Sequence, residues 1–226
     1  MNRREIIKSM ALIGAATYVS TSNAIGFGDM MKKGSSGGGS WKSIASAFGE
    51  AKANFLTELS IQSNITADIA EALDLQSEAA VMRAEAEKVD KEGDSLGAGD
   101  FGAIGDKSES TNKLISEKLS SADNLTDDQK SKLGDAAKQY VPSLLRGVLT
   151  GKALKDIISD ASGMGTPGFS DGMAAVSAAK DIPVLAPAMV SFLVNSITTG
   201  KDLVTSMGSK GVATPEISSD DFADFV

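Results

Sequence analysis

Residues 41–92 read WKSIASAFGEAKANFLTELSIQSNITADIAEALDLQSEAAVMRAEAEKVDKE, with one glycine (Gly49) and no proline. Ile44, Phe48, Ala51, Phe55, Leu59, Ile65, Ile69, Ala72 and Gln76 recur at steps of three, four and, once, six. Steps of three and four stack side chains on one face of a helix, the face that must leave water. Leu56, Leu73, Leu75, Val81 and Met82 widen that face beyond a two-stranded coiled-coil seam. At about 1.5 Å per residue an unbroken helix here would run on the order of 75 Å, longer than a domain of this size is wide. The stretch therefore predicts an all-α, elongated bundle built on one long N-terminal helix, with several shorter helices folding back along it.

The downstream pattern supplies those helices. Gly93 to Asp106, with its many Gly and Asp residues, reads as an inter-helix loop. It fails the calcium-loop template, because Ser95 stands where a glycine is required. Ser108 to Ser121 reads as a helix, and Thr126 to Gln129 has the spacing of a capping box for the next one. Pro142 is expected to kink or restart that helix. After the Ser162–Gly168 loop, Met173 to Lys180 reads as a short helix, and Pro183 to Met207 as another that is apolar nearly all round. Its uncharged run, Ile182 to Thr199, sits at the lower edge of membrane-spanning length, about 20 residues. Val184, Leu185, Met189, Phe192, Leu193 and Ile197 are accordingly candidates for insertion, ligand binding or burial in a core.

Composition excludes much chemistry. The 226 residues contain neither cysteine nor histidine. Thiol catalysis, disulfides, Cys/His zinc sites and a Ser-His-Asp triad are thereby removed. No cofactor fingerprint is present; the Gly37-Gly38-Gly39 run lacks phosphate-loop spacing. Metal binding is left to carboxylates and carbonyls. The formal charge is −8; Arg3, Arg4 and Lys8 against Glu5 give the first 24 residues +2, leaving −10 for the remainder. Such an acidic body repels nucleic acid.

The N-terminus reads as an address. A basic start, the apolar Met10–Ala16 stretch and the small residues Ser22 and Ala24 at the −3 and −1 positions make a secretory signal over residues 1–24. Asn2-Arg3-Arg4-Glu5-Ile6-Ile7-Lys8 also resembles the twin-arginine export signal, with paired Arg3 and Arg4 ahead of an apolar pair and a lysine. That resemblance covers only the leader and implies a passenger exported already folded, to a periplasmic or extracellular destination in a bacterium. Residues 25–40 form a Gly/Ser-rich linker, 41–207 the helical domain, and 208–226 an acidic tail in which Phe222 and Phe225 offer a short docking motif.

The expected function follows from what is missing. An exported, non-catalytic helical protein acting on a protein partner or on itself is the leading expectation. A membrane-active or hydrophobic-ligand-binding protein using residues 182–199 is the alternative. A carboxylate-based hydrolase needs two carboxylates converging in a cleft, and the sequence spreads them over solvated faces.

Overall fold

The computed structural model describes residues 40–216. Arg3, Arg4 and Ala24 of the expected signal, and Phe222 and Phe225 of the tail, lie outside the described residues. Among the described residues there are five α-helices: α1 (Trp41–Ala72), α2 (Gln76–Glu92), α3 (Ala98–Ser121), α4 (Asp127–Ser162) and α5 (Met173–Ser209). Single 3₁₀ turns, Gly93–Ser95 and Phe169–Asp171, lead into α3 and α5. Among the described residues there is no strand. α1 packs against α2, α4 and α5, and α5 packs also against α3 and α4. The protein is an all-α bundle around one continuous apolar core.

The Trp41–Glu92 stretch is not one helix. It breaks at Leu73-Asp74-Leu75, where Asp74 takes φ 62°. The Asp74 N–H donates to the Glu71 carbonyl at 3.1 Å and the Leu75 N–H to the Ala70 carbonyl at 2.9 Å. These two bonds satisfy carbonyls orphaned at the helix end, the Schellman arrangement normally built on glycine. Aspartate tolerates the left-handed conformation better than most side chains, so the break carries no glycine signal. α2 then packs against α1, and the longest helix, α5 at 37 residues, runs about 55 Å instead of about 75 Å. With α1 shortened to 32 residues, α4 at 36 and α5 at 37 are the longest elements.

α3 begins ten residues before the expected Ser108. Its first turns hold Gly99, Gly102 and Gly105, each costing roughly 1 kcal/mol of helix propensity relative to alanine. Phe101 and Ile104 are both 1% exposed. Burying two such side chains is worth about 1.5–3 kcal/mol each, and Ile115 and Leu119 continue the same stripe. Tertiary burial outweighs the local cost. Asp100 fixes the start: its carboxylate accepts the Gly97 N–H at 3.0 Å and the Lys88 ammonium of α2 at 2.8 Å.

α4 opens on the expected capping box, with the Gln129 N–H donating to Thr126 Oγ1 at 3.2 Å and Thr126 N–H to Gln129 Oε1 at 3.1 Å. It then runs through Pro142 without interruption, and α5 runs through Pro183 and Pro187, so the separate helix read over Met173 to Lys180 belongs to α5. All three prolines are exposed. The carbonyls they deprive of a donor thus lie on the wet side of each helix, where water replaces the missing bond. The bundle continues past the expected boundary at 207. Gly211 (φ 75°) caps α5 with Val212 N–H bonded to the Met207 carbonyl at 3.2 Å, and Val212 is buried. Trp41 closes the other end, 7% exposed, its indole N–H donating to the Gly165 carbonyl at 2.5 Å.

Candidate functional site

α1 carries a polar stripe through its apolar face. Glu58, Gln62 and Thr66 recur every four residues, so they stack along one side of the helix. All three are buried. Each rung meets a partner on α4 or α5. Glu58 accepts hydrogen bonds from the Ser143 hydroxyl at 2.7 Å and from the Arg146 guanidinium, both on α4. Gln62 Oε1 accepts from the Ser196 hydroxyl of α5. Tyr140 of α4, 1% exposed, is hydrogen-bonded with Thr66 and Ser196. Burial pushes the Tyr140 phenol up to about 12, against the opposing pull of those two hydrogen bonds.

A half-satisfied buried network costs more than an apolar core, and this one is nearly complete. The Gln62 Nε2 and Thr150 Oγ1 atoms are the exceptions on this side of the bundle. Glu85 on α2 is locked in the same manner, paired with Lys107 of α3. The ladder therefore fixes the register of α1 against α4 and α5, since a one-turn slip would strand every rung.

Beyond Ser196 lies a cleft of about 300 Å³ between α3 and α5. Its inner wall is aromatic. Phe55 of α1 sits edge-on to Phe101 (centroids 5.0 Å apart) and to Phe192 (5.7 Å), so rings from three helices meet there. Gly102 and Gly105 of α3 line the cleft. A β-carbon at Gly102 would meet nothing within 4 Å, and one at Gly105 would lie 3.5 Å from the Phe192 ring. The rim is formed by polar and acidic groups, among them Asp106, Glu109 and Asn195, with Asn112 buried in the wall beneath.

The α5 residues singled out from sequence do not share one surface. Met189, Leu193 and Ile197 are buried in the core, and Phe192, 9% exposed, packs on Phe55 at the cleft. Leu185 is half-buried, and Val184, 59% exposed, points the other way. The steps of four that join 189, 193 and 197 run down the face turned to α1 and α4, and position 184 falls outside that stripe. Gln62 pairs with a hydroxyl, Asn195 lines the cleft, and Gln76, which continues the apolar period in the sequence, is exposed.

Glu58, Thr66, Ser143 and Ser196 escaped the sequence reading, although a polar residue every four positions inside an apolar stripe is a usable sign. The glycine-rich composition of residues 93–106 hid Gly102 and Asp106, and nothing marked Glu109 and Asn112 within the expected helix as facing a cleft. Among the described residues no cluster of three acidic side chains could hold a metal ion. No known protein family, curated protein or solved structure matches the chain.

Proposed function

We propose that the chain is an exported, non-catalytic helical protein that acts by binding, to a protein partner or to a second copy of itself, in the cell envelope or outside the cell. One observation carries the non-catalytic part. A protein without histidine or cysteine must do chemistry with carboxylates, hydroxyls, tyrosine or lysine. The buried carboxylates of that set hold helices together, Glu58 with Ser143 and Arg146 and Glu85 with Lys107, and the Ser196 hydroxyl is bonded to Gln62. Tyr140 is sealed and held neutral. The leader read over residues 1–24 supports export.

A membrane-active reading has its own support. α5 is long and apolar enough to cross a bilayer, with a mean hydropathy of 1.5 over its most apolar 18 residues. Core helices of soluble bundles meet the same criterion. To meet lipid with Phe192 and Leu193, α5 must leave Phe55 and break the Gln62–Ser196 bond.

Flotation with neutral and anionic liposomes, beside sedimentation of the purified chain over a range of concentrations, separates the two. Binding without lipid predicts no co-flotation and a defined complex, with itself or with a partner crosslinked in the envelope. Co-flotation that Val184→Asp abolishes overturns the proposal, because that exposed site can change without disturbing the core.

A further inference from the structure

The cleft between α3 and α5 is chemically one-sided. Asp106 and Glu109 stand on its rim, and its lining contains neither lysine nor arginine. Among the described residues neither carboxylate has an ion-pair or hydrogen-bond partner, whereas nearby Glu85 and Asp100 are both paired with lysine. Asn112, one turn beyond Glu109, adds an independent sign. It is 2% exposed, its amide N–H₂ reaches only the Ser108 hydroxyl at 3.5 Å, and its Oδ1 has no donor. A buried carbonyl left without a donor is uncommon and asks for a partner.

Asp106, Glu109 and Asn112 follow one another at steps of three along α3, spanning about 9 Å at the helical rise and turning about 60° around the axis at each step. All three are acceptors when the carboxylates are ionised. The opposite requirement comes from Phe101 and Phe192, which offer only ring surface. A ligand that satisfies both ends has a positively charged donor group and an apolar body. Bare metal ions fit poorly, since the carboxylates are too few and the remaining wall is aromatic. The acidic tail of this chain is repelled by the same two carboxylates.

We infer that the α3–α5 cleft binds a small organic cation, a primary ammonium on a short apolar or aromatic body, with the ammonium at Glu109 and the Asn112 carbonyl one turn on, Asp106 adding negative charge at the rim, and the body against Phe101 and Phe192. The volume, about 300 Å³, lies at the small end of ligand pockets. The inference stands independently of whether the protein's main role is to bind another protein.

Calorimetric titration of the full chain with 2-phenylethylamine tests it, with 2-phenylethanol and phenylacetate as neutral and anionic counterparts. The amine is expected to bind, and each counterpart to bind at least about tenfold more weakly, as loss of a charge-assisted bond implies. Asp106→Asn with Glu109→Gln should weaken the amine by a similar factor without shifting the melting temperature, since both side chains are exposed. Gly102→Leu should abolish binding by filling the cleft where a β-carbon meets nothing. Absence of amine binding at millimolar concentration overturns the inference. So does equal affinity for the alcohol, or binding that survives either the double variant or a folded Gly102→Leu chain. Should Gly102→Leu fail to fold, the double variant decides alone.

Discussion

The same substitution at two helical glycines should move stability in opposite directions. Glycine to alanine in a helix interior gains about 0.5–1 kcal/mol, because the unfolded chain loses freedom and the helix gains propensity. At Gly102 nothing opposes that gain, since the new β-carbon meets no atom within 4 Å. At Gly200 it would sit 2.8 and 3.0 Å from the two Leu144 methyls and 3.2 Å from a Tyr140 ring carbon. Leu144 is 0% exposed, and Tyr140 is held by Thr66 and Ser196, so neither can swing into solvent to make room. Overpacking of this kind costs about 1–3 kcal/mol. Gly200→Ala should therefore lose about 1 kcal/mol net while Gly102→Ala gains up to about 1, a separation near 2 kcal/mol. Urea unfolding reads this as a midpoint shift at constant slope. Equal midpoints, or a Gly200→Ala midpoint above that of the parent, would refute the close approach of α4 and α5 at this point.

Two further predictions probe the ladder and the break between α1 and α2. With its phenol raised from 10.0 to about 12 by burial, Tyr140 stays neutral in the folded chain while the unfolded chain sheds its proton. Its contribution is complete below pH 10 and is lost as pH rises toward 12, by about 2–3 kcal/mol. Tyr140→Phe should be less stable than the parent at pH 8, with the gap closing between pH 10 and 12; parallel stability curves across that window would contradict the assignment. At Asp74, φ 62° is available to glycine without penalty. Asp74→Ala should cost roughly 1 kcal/mol and Asp74→Gly should be neutral or slightly stabilising. Matching urea midpoints for the two variants would mean that the left-handed cap is not what separates α1 from α2.

The two Schellman caps explain what the sequence could and could not disclose. Gly211 and Asp74 make the same pair of backbone hydrogen bonds at the ends of α5 and α1. Only the first carries the residue that announces a helix end. Through Asp74 the apolar period continues almost unbroken, from Ala72 and Leu73 to Leu75 and Ala79, because both sides of the hairpin face the same core. Periodicity reports which face is buried and is silent on whether the axis has reversed. The all-α class and most of the core were legible for that reason, and the topology was not. The partners of the polar ladder were hidden for a related reason. Glu58, Gln62 and Thr66 are ordinary side chains for a solvated flank until Ser143, Tyr140, Arg146 and Ser196 arrive from helices far along the chain.

The glycines of α3 link the misreading to the site. Gly99, Gly102 and Gly105 made residues 93–106 look like a loop, yet Phe101, Ile104, Ile115 and Leu119 hold that helix in place by burial. A helix accepts residues costing roughly 1 kcal/mol apiece when something else depends on their small size. Here Gly102 leaves open space beside the cleft, whereas a β-carbon at Gly105 would make only an ordinary contact, 3.5 Å, with the Phe192 ring. Alanine at 102 would fold at least as well, and a larger side chain would close the cleft. The feature that lowers the local helical signal is thus the one that opens a space beside Asp106, Glu109 and Asn112. Gly102 is where stability and binding part company. Alanine and leucine there should both strengthen the helix relative to glycine, alanine slightly more, while the room for a ligand shrinks with side-chain size.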